Sequence, residues 1–360
     1  MAATSRGSSL QCSPQRTAAV MAGLLPWLAA VLAGCSGSGA PDGARSIRIS
    51  GSSTVFPVIE RAIEAYGNTE EGRGVTVTLE EVGTSAGLRQ FCAGEIPIAN
   101  ASRPISSTEL QACADNDVTF IELPLAFDAL TVVVNPQNTW AREISVAELA
   151  RTWGKDAQGK VIRWNQINAS WPAQPLKLCA PGRDSGTFDY FNEAINGDKA
   201  NARTDVQSSE DDNVLVACAA GDPNAMAYFG FAYYQANAER LQALEIANGD
   251  GAVAVAPSVK TAQNGSYKPL SRPLFVYVND KQMRSNDQIR SFVGFTVGNG
   301  LRFVEKAGYI PLPADTYRIV ESKLYRHILG TSFGGDLPVG LSIGEALRRS
   351  FDETRKPEFR

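Results

Sequence analysis

The chain has 360 residues, of which 44% are hydrophobic and 20% are charged. This composition is typical of a globular protein long enough for two domains, and it excludes a disordered or fibrous chain. Lys and Arg total 34 against 38 Asp and Glu, so the net charge of −4 provides no general positive field for nucleic acid, and any anion site must be local.

The N-terminal segment has the pattern of an export signal. Arg6 and Arg16 precede an apolar stretch at residues 18–32, which is shorter than the 18 or so apolar residues of a membrane-spanning helix. The stretch ends in Leu-Ala-Gly-Cys, which resembles the bacterial lipobox, with Cys35 as the lipidated residue. We predict a lipoprotein signal peptide at residues 1–34 and a lipidated tether rich in Gly, Ser and Pro at residues 35–45. The alternative is an ordinary secretory signal with an incidental cysteine.

Strand and helix patterns alternate after the tether. In chain order they are a strand at Ile47–Ser50, a helix at Val58–Tyr66, a strand at Val75–Val82, a helix at Ala86–Ala93 and a strand at Ile96–Ala99. This βαβαβ order predicts an α/β fold with a parallel sheet and helices on both of its faces.

Two long β-rich runs, Leu123–Asn135 and Pro273–Asn279, are typical of strands that connect two lobes. Between them the sequence predicts a second α/β block, with elements at Val146–Trp153, Leu176–Ala180, Gly186–Ile195, Ala225–Tyr234 and Leu244–Val255. A helix at Asp287–Gly298 follows the second run. Because the chain crosses between the lobes at each of the two β-rich runs, the first lobe is predicted to be discontinuous. It comprises residues 46–128 and 277–360, and the second lobe comprises residues 129–276.

Four cysteines remain after Cys12 and Cys35 are assigned to the N-terminal segment: Cys92, Cys113, Cys179 and Cys218. An exported protein can form disulfides, and four cysteines allow three connectivities. Proximity in sequence favours Cys92 with Cys113 and Cys179 with Cys218. We expect no metal site, because the cysteine spacings are wide and His327 is the only histidine.

Four turns share one design, in which a segment rich in Gly, Ser or Thr follows a strand and opens a helix. They are Gly51–Thr54, Gly83–Gly87, Ala101–Pro104 and Gly182–Thr187. A helix N-terminus presents free backbone N–H groups and about half a positive charge, and hydroxyl groups add further donors. Each turn alone is more typical of helix capping. The four together predict a site that encloses a small oxyanion.

Charged residues lie in or near these turns. Arg103 and Arg183 could each bind an oxyanion through two N–H groups, although either could instead form a salt bridge. Asp184 could accept the proton of monohydrogen phosphate and repel sulfate, or it could cap the following helix or pair with Arg183. Asp212, in the acidic run Glu210–Asp212, is a second candidate acceptor, although such a run is usually a solvated helix start.

An enzyme is the less favoured alternative. Gly83–Gly87 matches the Gly-x-Ser-x-Gly pattern of a nucleophile elbow around Ser85. A triad on Ser85 would need His327, which lies in a C-terminal segment with no pattern that presents it. The sequence has neither a Walker motif nor a dinucleotide-binding fingerprint, so we expect no enzyme and no cofactor.

Six segments together resemble the phosphate-binding proteins of bacterial phosphate ABC transporters, in the form common in cyanobacteria. They are Gly51–Pro57, Val82–Gly87, Ala101–Ile105, Asp184–Phe191, Ser209–Val214 and Gly230–Tyr234, and the resemblance covers residues 46–345. It implies a class II periplasmic-binding-protein fold with two lobes joined by two hinge strands. It also implies a protein that binds inorganic phosphate and delivers it to a membrane permease. Together with the lipobox, it leads us to expect a lipid-anchored monomer on the periplasmic side.

The resemblance assigns phosphate contacts to Ser53 and Thr54, to Thr84 and Ser85, to Ser102 and Arg103, and to Ser185, Gly186 and Thr187. The complete candidate set adds Arg183 and Asp184, with Ser52 and Asp212 as weaker candidates. Enterobacterial-type members have an aspartate where Arg103 stands, and that aspartate takes the ligand's proton. Here the acceptor must lie elsewhere or be absent, which leaves Asp184 or Asp212 as the candidates for selecting phosphate over sulfate. Alternatives to a phosphate importer protein are a binding protein for sulfate or molybdate, a phosphomonoesterase and a phosphate-sensing lipoprotein.

Overall fold

A computed structural model of the chain describes residues 46–336, 338–340 and 345. The predicted signal peptide, the tether and Cys35 lie outside these residues, as does most of the predicted first lobe beyond residue 340. Among the described helices, none combines the length and the apolar character needed to cross a bilayer.

The fold contains alternating strands and helices. The strands are β1 (Ser46–Gly51), β2 (Thr76–Glu81), β3 (Ile98–Ala101), β4 (Phe120–Ala129), β5 (Thr131–Val134), β6 (Glu143–Ser145), β7 (Lys177–Pro181), β8 (Gln207–Ser209), β9 (Ala225–Phe229), β10 (Gln242–Ala243), β11 (Glu245–Ala247), β12 (Ser271–Asn279) and β13 (Ile310–Pro311). The helices are α1 (Phe56–Gly67), α2 (Thr84–Cys92), α3 (Ser107–Asp115), α4 (Val146–Trp153), α5 (Gly186–Asn196), α6 (Asp212–Ala220), α7 (Phe231–Ala236), α8 (Val259–Gln263), α9 (Asp280–Ser285), α10 (Asp287–Gly298), α11 (Gly300–Lys306) and α12 (Ala314–Tyr325).

A six-stranded sheet, in the order β13-β4-β12-β3-β1-β2, forms the centre of the first lobe. Strand β1 runs parallel to β2 and β3, as the βαβαβ pattern predicts. The whole sheet is mixed, because β12 is antiparallel to both β3 and β4. The chain leaves this lobe along β4 and returns along β12, so these two neighbouring strands run in opposite directions.

A five-stranded sheet, in the order β10-β5-β9-β7-β8, forms the centre of the second lobe. The chain passes from the first sheet to the second at Leu130, between β4 and β5. It is paired with β4 again from Ser271 onward. The predicted boundary at residues 128 and 129 therefore lies next to the first crossing, whereas the predicted boundary at residues 276 and 277 lies within β12.

Each lobe is held together by packed apolar side chains. Helix α1 begins with Pro57 in its first turn and buries Val58, Ile59, Ala62 and Tyr66 on one face, which is the helical spacing seen in the sequence. In the second lobe the rings of Phe191 and Tyr228 stack with their centroids 3.8 Å apart. These cores fix the positions of the turns at the ends of the strands.

The structure contains two disulfides, and both have the predicted pairing. Cys92–Cys113 joins α2 to α3 in the first lobe. Cys179–Cys218 joins β7 to α6 in the second lobe. Each bridge therefore connects elements of one lobe only.

Candidate anion-binding site

Three of the four predicted turns meet at one edge of the first sheet. They follow β1, β2 and β3, which are parallel neighbours, so their carboxyl ends lie at the same edge. The fourth turn follows β7 of the second sheet and faces the other three. This is the location at which α/β folds commonly bind ligands.

Four buried hydroxyl groups form the centre of the site. The Oγ1 atoms of Thr54 and Thr187 lie 3.0 Å apart and join the two lobes. The Oγ1 of Thr84 lies 3.2 Å from the Oγ of Ser102 and accepts a hydrogen bond from the Ser102 amide at 3.1 Å. All four residues have 0% exposure, so these hydroxyls are shielded from water.

Helix N-termini surround this hydroxyl cluster. Helices α1, α2 and α5 have 12, nine and 11 residues and begin at the turns after β1, β2 and β7. The side chain of Ser185 accepts a hydrogen bond from the Thr187 amide at 3.1 Å, so Ser185 does cap α5, as the alternative interpretation held. The positive ends of three helices thus point toward one small region.

Glycine is required where the lobes approach most closely. A Cβ atom on Gly186 would lie 2.5 Å from both the Oγ1 of Thr84 and the Oγ of Ser102. A Cβ atom on Gly83 would lie 2.5 Å from the carbonyl oxygen of Asp184, and the φ of Gly83 is +84°. These two glycines therefore permit the contact between the lobes.

The structure leaves Arg103, which is predicted to bind the anion, without a free donor for a ligand. The Nη1 and Nη2 atoms each donate to Glu109 at 2.8 Å, and Nε donates to Asp189 at 2.8 Å. The remaining two N–H groups donate to the Pro104 carbonyl and to the Oγ of Ser85. All five donors of the guanidinium are therefore occupied.

Arg103 instead connects the lobes and orients a hydroxyl group. Asp189 lies on α5 of the second lobe, and its Oδ2 also accepts a hydrogen bond from Ser85. Burial would raise the pKa of Glu109, but the hydrogen bonds and positive charge of Arg103 hold that pKa below its ordinary value. The ion pairs of Arg103 thus fix Ser85 in place.

Arg183 and Asp184 lie outside the buried cluster. The side chain of Asp184 is 42% exposed and pairs with the exposed Arg89 at 2.7 Å across the two lobes. Arg183 is exposed and makes no hydrogen bond or ion pair with the described residues. At 42% exposure, the side chain of Asp184 lacks the burial on which its predicted role as a proton acceptor depends.

Asp212 has the burial that a selective proton acceptor requires. It has 0% exposure, and neither carboxylate oxygen has a hydrogen-bond partner among the described residues. Burial raises the pKa of Asp212 to about 8, although the charge of Arg272 opposes the shift. The neighbouring Asp211 caps α6 by accepting from the Asn213 amide at 2.8 Å, so Asp212 itself has no capping role.

Ser52 and Ser53 are buried in the first turn, and their hydrogen bonds to other described residues are made by backbone atoms. The Ser52 amide donates to the Asn100 carbonyl at 3.0 Å, and the Ser53 carbonyl accepts from the Tyr233 hydroxyl at 3.1 Å. These bonds hold the start of the turn and link it to α7 of the second lobe.

Sequence reasoning missed Arg272 and Asp128. Both have 0% exposure and form an ion pair with Nη2 and Oδ2 2.8 Å apart. The Nη2 atom of Arg272 also donates to Thr54 at 3.2 Å and to Thr187 at 2.8 Å. An arginine in the largely apolar strand β12 was the available signal, because a charge inside such a strand needs a buried partner.

A Ser-His-Asp triad does not form on the segment Gly83–Gly87, which matches the nucleophile-elbow pattern. The Ser85 hydroxyl is bonded to Arg103 and Asp189. The ring of His327 is paired instead with Asp280 at the start of α9. In the described part of the chain, no group of three or more His, Cys, Asp and Glu side chains is placed to hold a metal ion.

Comparison with known proteins identifies relatives of this chain. The family model described as a PBP superfamily domain matches residues 36–299. The chain is 42% identical to Protein SphX of Synechocystis sp. over 91% of this chain and 96% of that protein. It is 34% identical to the phosphate-binding protein PstS of Staphylococcus haemolyticus over 74% of this chain and 81% of that protein. A solved structure of a possible phosphate binding protein from Planctomyces limnophilus is 36% identical, with a TM-score of 0.58 over 78% of this chain and 98% of that one.

Proposed function

Because this chain belongs to the phosphate-binding proteins of the PBP superfamily, we propose that it captures inorganic phosphate between its two lobes and delivers it to an ABC-type importer. This is a family of substrate-binding proteins and not of enzymes. The observation that carries the proposal is the meeting of buried hydroxyl groups, three helix N-termini and the Arg272 guanidinium at one point between the lobes.

We propose that the hydroxyl and amide groups of the four turns form most of the contacts with the anion. The contributing residues are Ser53, Thr54, Thr84, Ser85, Ser102, Ser185, Gly186 and Thr187. Their neutral donors suit a small tetrahedral anion, because each oxygen can receive short hydrogen bonds without a full counter-charge. Arg103 acts through Ser85, and Arg183 and Asp184 lie outside the buried cluster.

Asp212 is the proposed proton acceptor that distinguishes phosphate from sulfate. An ionised Asp212 can accept the proton of monohydrogen phosphate but repels sulfate, which has no proton to donate. Its pKa of about 8 means that below this pH the carboxyl group is neutral and can donate to either anion. Selectivity against sulfate should therefore increase as the pH rises above about 8.

We also propose that the protein acts on the periplasmic side of the envelope as a monomer anchored through lipid on Cys35. The Leu-Ala-Gly-Cys sequence that precedes the tether supports this proposal. Mass spectrometry of the exported protein tests it, because a diacylglycerol group should be found on Cys35 and should be absent after Cys35→Ser. An exported protein that begins elsewhere, with no lipid, would overturn it.

Calorimetric titration of the mature chain from residue 36 onward tests the binding proposal. Phosphate and sulfate are titrated separately into anion-free protein at about pH 9, where Asp212 is ionised. One phosphate should bind per chain, with sulfate at least about tenfold weaker. Equal binding of both anions would favour a general oxyanion-binding protein, and no binding of phosphate would overturn the proposed function.

A further inference from the structure

Arg272 occupies the point where the chain returns from the second lobe to the first. It is the second residue of β12, and it is paired in register with Asp128, the second-to-last residue of β4. Beyond these positions the chain enters β5 of the second sheet on one side and comes from α8 on the other. The ion pair of Arg272 and Asp128 therefore joins the two strands at the hinge.

The donors of Arg272 are only partly used. Nε donates to Asp128 at 3.1 Å, and Nη2 contacts Asp128, Thr54 and Thr187. Nη1 is buried and has no hydrogen-bond partner among the described residues. Two unpaired N–H groups of a charged side chain without water are costly, so a native protein usually supplies a partner for them.

The position of these free donors indicates which partner they take. The guanidinium is planar and rigid, so Nη1 is held beside Nη2, which contacts the two hydroxyls that join the lobes. A guanidinium fork matches the oxygens of phosphate closely. Arg103, in contrast, has no donor left for a ligand.

Asp128 fixes the orientation of this fork. Its Oδ2 accepts from Arg272, and its Oδ1 accepts from the Phe231 amide of α7 at 2.8 Å. Asp128 is thus bound both to the other hinge strand and to the second lobe. Its negative charge also compensates Arg272, which would otherwise be a single buried cation.

We propose that Arg272 is the arginine that binds the anion, through Nη1, and that Asp128 is the residue that positions it. The inference rests on the proposed function only in taking the ligand to be phosphate. It assigns the cation of the site to the hinge strand β12, where the bound anion contacts a residue that is paired with Asp128 on the other hinge strand. Closure of the lobes and neutralisation of the ligand charge then depend on one side chain.

The first test is calorimetry with phosphate on the mature chain and on Arg272→Gln, with Arg318→Gln as the matched control. Arg318 is 84% exposed on α12 and makes only a surface ion pair, so its removal changes net charge equally. We expect Arg272→Gln to weaken phosphate binding at least about 100-fold and Arg318→Gln less than about twofold. Arg272→Gln leaves Asp128 as an unpaired buried charge, which lowers the stability of the fold. The double variant Arg272→Gln/Asp128→Asn removes that charge, so it should fold and should show the same loss of phosphate binding.

The second test separates ligand binding from a structural role. Asp128→Asn leaves Arg272 as an uncompensated buried cation, so the anion-free protein should melt at a lower temperature than wild type. Phosphate then supplies the missing negative charge, and the rise in Tm on adding phosphate should be larger than in wild type. A merely structural ion pair would leave that rise unchanged.

Two results would overturn the inference. One is a folded double variant that binds phosphate within about twofold of wild type, and the other is an equal phosphate-induced rise in Tm for Asp128→Asn and wild type. Both require that the wild-type protein binds phosphate. If the wild-type protein does not bind phosphate, the proposed function itself fails.

Discussion

Two ion pairs between charged side chains of the site have nearly the same geometry and different surroundings. At the floor of the site, defined here by Asp128 and Arg272, the pair is 2.8 Å long and both side chains have 0% exposure. At the rim, defined by Arg89 and Asp184, the pair is 2.7 Å long and the side chains are 61% and 42% exposed. Distance alone would rank the two pairs as equal, whereas burial separates them.

The physical consequence of this difference is large. Removing one partner of a buried pair leaves an unsatisfied charge and costs about 3–5 kcal/mol, whereas an exposed pair contributes about 0–1 kcal/mol. Substitutions at the floor should therefore change binding or stability strongly, and those at the rim weakly. The four predictions below test whether burial and close packing set the size of an effect, from the largest expected effect to the smallest.

Gly186→Ala should have the largest effect, because the added Cβ would lie 2.5 Å from two hydroxyl oxygens of the opposite lobe. We expect a loss of phosphate affinity of at least about 100-fold, measured by calorimetry. The control is Gly67→Ala at the end of α1, where a Cβ would meet nothing within 4 Å. Phosphate binding by Gly186→Ala at wild-type strength would contradict the close approach of the lobes.

Asp189→Asn should destabilise the fold, because Arg103 and Asp189 form an ion pair with 1% exposure on each side chain. We expect a loss of about 3 kcal/mol in the free energy of unfolding, measured by urea denaturation without phosphate. Asp222→Asn is the control, since Asp222 pairs with Lys177 at 3.8 Å and both side chains are partly exposed. Equal costs for the two variants would mean that burial does not set the strength of these pairs.

Asp212→Asn should have opposite effects on stability and on selectivity. The folded-state pKa of about 8 lies above the ordinary value of 3.8, so ionisation is disfavoured in the folded protein, and wild-type stability falls as the pH rises from the lower value to the higher. The anion-free Asn variant should lack this fall and be more stable than wild type at pH 8. At about pH 9 it should bind phosphate about tenfold more weakly and sulfate more strongly.

Calorimetry at about pH 6 and about pH 9 and thermal melts over the same range measure both effects. An unchanged ratio of phosphate to sulfate affinity at the higher pH would show that Asp212 does not contact the ligand. An unchanged dependence of Tm on pH would show that its pKa is not raised.

Asp184→Asn should have the smallest effect. The Arg89–Asp184 pair is exposed and screened by salt, so we expect phosphate affinity within about threefold of wild type and a change in unfolding free energy below about 1 kcal/mol. The measurements are calorimetry and urea denaturation at low and high salt. A loss as large as that expected for Gly186→Ala would place Asp184 in direct contact with the anion and remove the distinction between rim and floor.

The local structure of the fold was largely predictable. The predicted helices at Val146–Trp153 and Asp287–Gly298 have the same bounds in the structure. Both arise from the spacing of apolar residues over a few turns, which is information contained in each segment. The antiparallel pairing of β4 with β12 was not predicted, because it joins segments more than 140 residues apart, as the 144-residue separation of Asp128 and Arg272 shows.

Four turns that begin helices were predicted, and the structure brings them together between the lobes, since Gly, Ser and Thr at the end of a strand carry that information locally. The partners of each arginine could not be predicted. A sequence shows that Arg103 and Arg272 each have five donors, but the number left for a ligand depends on partners elsewhere in the chain. Asp189, 86 residues from Arg103, helps to occupy all of its donors, whereas Arg272 keeps Nη1 unpaired among the described residues. The sequence thus determined where an anion could be held, and only the tertiary structure decided which cation could hold it.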